Sequence, residues 1–121
     1  MQYDRKITIS AGSNRRAMTW QQQTMLISEL WARLQTPARG TETLAEYLNM
    51  KKAQQDDLKD VGGFMAGTLS GPRRKAGNVT GRDVITLDLD NIPSGGTDDV
   101  LRRVEALGCG YCIYSTRKHS P

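Results

Sequence analysis

The chain has 121 residues and a formal net charge of +4, and 37% of its residues are hydrophobic. This length is enough for one domain with a modest core, and no apolar run is long enough to span a membrane. The N-terminus lacks the apolar stretch of a signal peptide, so we expect a cytoplasmic protein with no membrane partner. Residues 1–82 carry 13 Lys and Arg against 7 Asp and Glu, whereas residues 83–121 carry 4 against 6. This uneven charge suits a protein that holds polyanions near a metal, although an ordinary solvated surface also accounts for it.

The first third of the chain predicts a strand and then a helix. Apolar residues alternate over 6–10, which indicates a short strand. Thr19 and Gln22 have capping-box spacing, and apolar residues follow at helical intervals up to Pro37, so we expect a helix over this stretch. Trp20 belongs to that apolar stripe, and we expect it in the core rather than as a base-stacking platform.

Two further helices and a strand are expected before residue 70. Thr43 and Glu46 again have capping-box spacing and predict the start of a helix. The charged run 51–60 predicts an exposed helix, and residues 64–69 predict a strand.

Two basic loops are candidate nucleic-acid-binding segments. Arg15 and Arg16 lie in the first, and Arg73, Arg74 and Lys75 lie in the second. Lys and Arg side chains neutralise backbone phosphates, which makes such binding steeply dependent on salt. Three adjacent cations in a loop are equally explained by a solvated tip, so the pattern leaves both interpretations open.

The second half of the chain predicts a β-α-β unit. Residues 84–90 predict a buried strand, Thr97 caps a helix, and residues 111–115 predict a second strand. The two strands should be parallel, with a right-handed crossover. Cys109 and Cys112 form an isolated C-x-x-C pair, which we expect to be buried free thiols rather than a zinc site or a redox pair.

Two aspartates at the end of the first of these strands are the candidate metal ligands. Asp88 and Asp90 share one strand face and should stand about 7 Å apart. Carboxylates this close repel unless a cation lies between them, and Mg²⁺ is typically held by one or two carboxylates plus substrate phosphates. The alternative is that Asp90 and Asn91 simply open the turn that follows.

Residues that follow the second strand should lie near these aspartates, because parallel strands end at the same edge of a sheet. Hydroxyls, cations and the only histidine of the chain could there meet nucleotide phosphates around a metal. The candidate nucleotide-binding residues are Ser115, Thr116, Arg117, Lys118 and His119.

These motifs resemble a known family. The D-x-D of Asp88 and Asp90, followed by a helix and then by Ser115-Thr116-Arg117-Lys118-His119, is similar to the archaeo-eukaryotic primase superfamily. The resemblance is closer to the primase-polymerase regions of virulence-associated E replication proteins of phages and mobile elements. In that family the D-x-D motif binds catalytic metal, and an S-x-H-type motif contacts the incoming nucleotide. The resemblance therefore implies catalytic roles for Asp88, Asp90 and His119, with Mg²⁺ or Mn²⁺ as the cofactor.

The resemblance also implies a fold and partners. The fold would be α/β (α+β), an incomplete primase-type sheet whose β-α-β unit carries the D-x-D strand, preceded by an N-terminal helical region. We expect residues 1–121 to be a single N-terminal portion of a primase-polymerase domain, mainly helical over 1–63 and with its sheet part over 64–121. The implied partners are nucleoside triphosphates, a single-stranded DNA template and, in the parent protein, a C-terminal helicase-like ATPase region.

The third acidic motif of the family has no counterpart before Pro121. We therefore expect a fragment of a longer protein that is a poor enzyme or none on its own. Two other functions remain open, a non-catalytic nucleic-acid-binding module and a metal-dependent nuclease or phosphatase that uses the same aspartates. Triphosphate binding that requires metal separates a primase from the first, and template-dependent synthesis separates it from the second.

Overall fold

The computed structural model describes residues 3–116, and the chain divides into two compact units, residues 1–86 and 87–121. In chain order the elements of the described part are β1 (Lys6–Gly12), β2 (Gln21–Leu26), α1 (Ile27–Leu34), α2 (Leu44–Asn49), α3 (Lys52–Lys59), β3 (Gly63–Met65), β4 (Gly67–Leu69), β5 (Val79–Arg82) and α4 (Thr97–Glu105). A 3₁₀ turn over Ala76–Asn78 precedes β5.

A three-stranded antiparallel sheet in the order β2-β1-β3 forms the first layer of the first unit. Its middle strand, β1, buries Ile7 and Ile9, which are 1% and 0% exposed and form a core cluster with Leu30 of α1. Full burial of each such aliphatic side chain contributes about 1.5–3 kcal/mol. This packing fixes α1 against the sheet. The register of β1 and β2 runs from Lys6 opposite Leu26 to Ala11 opposite Gln21.

A second antiparallel pair, β4 and β5, comes very close together at Gly67. A Cβ at this position would stand 1.9 Å from the carbonyl oxygen of Gly81, so only glycine fits there. The buried hydroxyl of Ser10 in β1 donates a hydrogen bond of 2.9 Å to the Gly67 carbonyl oxygen. This bond connects the two sheets inside the first unit.

Buried polar groups hold α2 and α3 together as a helical hairpin. Tyr47 is 2% exposed, and its hydroxyl donates to the Gln55 carbonyl oxygen at 3.3 Å. The side-chain amide of Gln55 donates in turn to the carbonyl oxygens of Leu48 and Met50. Carbonyls at the end of a helix have no partner within it, so these bonds satisfy the last turn of α2.

The described part of the second unit contains α4 and irregular segments on both sides of it. No side chain of α4 is fully buried. Gly95 and Gly108 flank the helix with φ values of 77° and 65°, which glycine adopts without strain. Asp99 pairs with Arg103 at 2.8 Å on the exposed face, a contact worth a few tenths of a kcal/mol.

Several expected elements are confirmed. β1 covers the strand expected over 6–10, α3 is the helix expected over 51–60, and α4 is the helix expected near Thr97. The cap predicted for Thr97 is wrong, because Thr97 is already the first helical residue and the N-cap is Gly96, which has no side chain to accept a hydrogen bond. The Thr43 hydroxyl accepts the Glu46 N–H at 3.2 Å, and the Glu46 carboxylate accepts the Thr43 N–H at 2.7 Å. These two hydrogen bonds confirm the predicted capping box. Hydrogen bonds from the backbone and the hydroxyl of Thr43 also lower the pKa of Glu46.

The helix expected from Thr19 is wrong, because residues 21–26 form β2 and pair with β1 along most of its length. Helical propensity is a weak preference that strand pairing readily overrides. The helix begins only at Ile27, where the Glu29 carboxylate accepts the Leu26 N–H at 2.7 Å.

The mixed α/β class is confirmed as an α+β arrangement of helices and antiparallel sheets, but the primase-type sheet is not. Within residues 3–116, the strands predicted over 84–90 and 111–115 are irregular, so no β-α-β unit surrounds α4. A strand forms through hydrogen bonds to a neighbouring strand, and neither stretch pairs with another described segment. Ile85 and Leu87, expected to be buried, are 82% and 73% exposed.

Candidate functional site

Trp20 connects the two basic loops of the first unit. Its backbone N–H donates to the Pro72 carbonyl oxygen at 2.6 Å, and its indole N–H donates to the Ala17 carbonyl oxygen at 3.1 Å. The side chain is 7% exposed, as expected for a core residue. Trp20 thus holds the loop over 13–19, which contains Arg15 and Arg16, beside the loop over 70–78. We call this contact the Trp20 junction.

Arg74 covers the indole at this junction. Its guanidinium carbon Cζ lies over the Trp20 ring, 4.7 Å from the ring centroid. A cation–π contact of this kind is worth about 0.5–1 kcal/mol at an exposed position. Gly12 of β1 also approaches the indole, so closely that a Cβ there would stand 2.6 Å from the ring carbon Cε2. The indole therefore contacts both closely approaching backbone and an arginine side chain.

The loop that carries Arg74 is ordered by its own hydrogen bonds. The Asn78 side-chain amide donates to the Arg73 carbonyl oxygen at 3.0 Å, and the Asn78 N–H donates to the Lys75 carbonyl oxygen at 2.9 Å. The N–H of Ser70 closes the loop by donating to the Asn78 carbonyl oxygen at 2.8 Å. Arg73, Arg74 and Lys75 are all exposed. The three cationic side chains are therefore accessible to solvent on a loop whose backbone is held by hydrogen bonds.

Arg15 differs from the other predicted cations, because acidic residues of α3 and its C-terminal end pair with it. Its guanidinium lies 3.2 Å from the Asp57 carboxylate, 3.8 Å from that of Asp60 and 4.0 Å from that of Asp56. The Arg15 N–H also donates to the Asp60 carboxylate at 2.8 Å. This geometry favours a role in anchoring the first loop to α3, and a phosphate contact by Arg15 stays a prediction.

The structure therefore brings four exposed cations onto two adjoining loops. They are Arg16 from the first loop and Arg73, Arg74 and Lys75 from the second. The sequence showed each basic segment but not their contact. Sequence reasoning also missed two residues at the junction. The Pro72 carbonyl oxygen accepts the hydrogen bond from the Trp20 N–H, and Gly12 leaves room for the indole because it has no Cβ. The sequence feature that could have indicated this packing is the position of Gly12 and Trp20 at the two ends of the first basic loop.

The two candidate metal ligands lie in the second unit. Asp88 and Asp90 are exposed on an irregular segment, so the common strand face predicted for them is not formed. Asn91 has a φ of 58°, which agrees with the alternative that these residues open a turn. Residues 3–116 contain no group of three or more His, Cys, Asp and Glu side chains that could hold a metal ion. The two carboxylates are accessible to a cation, but alone they do not fit a fixed catalytic metal centre.

The candidate nucleotide-binding residues are only partly described. Ser115 and Thr116 are exposed and irregular. Arg117, Lys118 and His119 lie outside the described residues, so their predicted contact with phosphate stays a prediction.

The expectation for the two cysteines is wrong. Cys109 and Cys112 are free thiols, but both are exposed. The strand that would have buried Cys112 is not formed, which removes the physical basis for that expectation.

Comparison with known proteins identifies a family for this chain. The profile of the VapE N-terminal domain family matches residues 1–121. No curated protein and no solved structure matches the chain. Within the described residues, no helix is both long enough and apolar enough to cross a membrane. The resemblance to virulence-associated E-type replication proteins of phages and mobile elements is thereby confirmed, and the chain belongs to the VapE N-terminal domain family.

Proposed function

We propose that this domain is the nucleic-acid-binding N-terminal part of a phage or mobile-element primase-polymerase. Membership of the VapE family supports a role in replication. The observation that carries the nucleic-acid role is the Trp20 junction, which puts Arg16 beside a loop with three more exposed cations. Single-stranded DNA, the template of such an enzyme, is the proposed ligand.

The expected binding is electrostatic and needs no pocket. Residues 1–82 carry an excess of six positive charges, which attracts a polyanion from a distance. Each phosphate neutralised on a single strand contributes about −0.7 to the slope of log K against log salt. Four cations on the two loops therefore predict a slope of about −3.

Fluorescence anisotropy with a labelled single-stranded oligothymidylate, measured from about 50 to 200 mM NaCl, tests this proposal. Arg73→Ala should weaken binding. It should also make the slope of log K against log salt shallower by about 0.7, the contribution of one phosphate contact. Arg39→Ala is the matched control, since it removes the same charge from another exposed position of the first unit. An equal loss in both variants would show that net charge, and not the Trp20 junction, determines binding.

We also propose Asp88 and Asp90 as ligands of Mg²⁺ or Mn²⁺ in the parent protein. Their exposure and their match to the D-x-D motif support this. A metal would neutralise phosphate charge during nucleotidyl transfer. No catalytic step is assigned to the pair, because a two-metal site needs more anionic ligands than two carboxylates.

Calorimetric titration with Mn²⁺ tests the metal proposal. The unchanged chain should bind Mn²⁺ weakly, and Asp88→Asn combined with Asp90→Asn should abolish the binding. Asp98→Asn serves as the matched control, because Asp98 is an exposed carboxylate of the same unit in the first turn of α4. Unchanged Mn²⁺ affinity in the double variant would refute the assignment.

This chain by itself should bind nucleic acid without synthesising it. Incubation with a single-stranded template, Mn²⁺ and all four nucleotides should yield no primer. Primer products that disappear in Asp88→Asn would overturn this expectation and show that these residues suffice for catalysis. DNA binding without metal-dependent triphosphate binding would favour the non-catalytic module.

The contact with a helicase-like ATPase region and the cytoplasmic location stay predictions.

A further inference from the structure

We propose that Arg74, held on the Trp20 ring, is a platform on which a nucleic-acid base stacks. The inference rests on the proposed nucleic-acid role and adds a contact to the base itself. It distinguishes Arg74, whose guanidinium lies over the Trp20 ring, from the other cations of the two loops, which are proposed to contact phosphate only. Single-stranded nucleic acid is the ligand class, because its bases are accessible to a stacking partner.

Arg74 already contacts the Trp20 ring before any ligand arrives. Its guanidinium lies 4.7 Å from the centroid of the indole. The indole is itself fixed by burial and by its hydrogen bond to Ala17, while the backbone N–H of Trp20 bonds to Pro72. Ordering a long side chain on binding opposes association, and here part of that ordering has already occurred.

The exposure of the two partners shows which of them a ligand can reach. Trp20 is 7% exposed, whereas Arg74 is exposed. A ligand therefore meets the guanidinium rather than the indole beneath it. A guanidinium plane stacks on nucleobases as an aromatic side chain does. A base on the outer side of Arg74 would complete a stack of indole, guanidinium and base.

The neighbouring side chains supply the remaining contacts. Arg73 and Lys75 flank the platform on a loop whose backbone is held by Asn78. Phosphates on either side of a stacked base can be neutralised there, because phosphate contacts need only accessible charge. The site should therefore accept any base, since stacking depends little on base identity.

The test compares two single-stranded ligands of equal charge, an oligothymidylate and an abasic strand of the same length. Arg74→Lys keeps the charge but removes the planar group. It should lower affinity for the oligothymidylate roughly fivefold or more and leave affinity for the abasic strand unchanged. Arg39→Lys is the matched control, because Arg39 is an exposed cation of the first unit outside the two basic loops, and it should leave both affinities unchanged. Thermal unfolding of each variant verifies that the fold is retained.

The outcomes separate this inference from the proposed function. If the unchanged protein binds neither strand, the nucleic-acid surface itself is wrong. If it binds both but Arg74→Lys lowers both affinities equally or lowers neither, the surface stands and the stacking platform is refuted. A loss for oligothymidylate alone, absent in Arg39→Lys, supports the platform.

Discussion

Substitution of Gly12 by Ala tests the packing on which the Trp20 junction depends. The added Cβ would stand 2.6 Å from Cε2 and 2.8 Å from Cδ2 and Cζ2 of the Trp20 ring. Carbon atoms in contact prefer about 3.5–4.0 Å, so the ring or the strand must move by about 1 Å. Neither moves easily, because β1 is paired on both sides and the indole is hydrogen-bonded. Overpacking of this kind costs about 1–3 kcal/mol.

Thermal unfolding followed by circular dichroism gives the measurement. A cost of that size should lower Tm by about 5–20 °C, since each kcal/mol corresponds to about 4–8 °C in a domain of this size. Gly77→Ala is the control, because a Cβ there meets no atom within 4 Å and its φ is not left-handed. Its Tm should stay the same or rise slightly. Equal Tm values for the two variants would refute the tight packing of Trp20 and with it the basis of the junction.

Three further predictions concern stability, pH and thiol reactivity. Gln55→Ala should lower the free energy of unfolding by about 1–3 kcal/mol, because two carbonyl oxygens at the end of α2 lose their hydrogen-bond donor. Urea denaturation measures this, and an unchanged free energy of unfolding would contradict it. Hydrogen bonds from the side chain and backbone of Ser28 lower the pKa of Asp4, so this carboxylate stabilises the fold above its ordinary pKa and loses that effect as pH falls through its folded value. Ser28→Ala should therefore raise the pKa of Asp4 in an NMR titration, and no change would refute the assigned cause. Cys109 and Cys112 should both react with a thiol reagent in the native protein, and fewer than two reactive thiols per chain would mean that one is buried.

Elements with local signals were predictable from the sequence. The capping box of Thr43 and Glu46 lies within four residues, and the alternation in β1 marks its buried face directly. The state of residues 21–26 depends instead on pairing with β1. Apolar and polar residues do not alternate clearly in Gln21-Gln22-Gln23-Thr24-Met25-Leu26. The capping-box spacing of the residues before it therefore led to the prediction of a helix.

The candidate interface was predictable in its parts but not in its assembly. Arg73, Arg74 and Lys75 mark one basic loop, and Arg16 marks the other. Their contact depends on a hydrogen bond accepted by the Pro72 carbonyl. A backbone carbonyl accepts such a bond whatever its side chain, so no residue type indicates the contact in advance.

The two proposed roles place different demands on the fold. Phosphate binding needs accessible charge on an ordered backbone, and the loop over 70–78 provides both. Metal-dependent transfer needs several ligands held at fixed separations. Asp88 and Asp90 lie on an irregular segment in which Leu87 and Leu89 are 73% and 49% exposed. No strand pairing within the described residues holds the two carboxylates at a set separation, so a cation that binds both must itself fix their side chains, and that ordering opposes binding. The affinity of this chain for Mn²⁺ should therefore fall below that of a preformed carboxylate site.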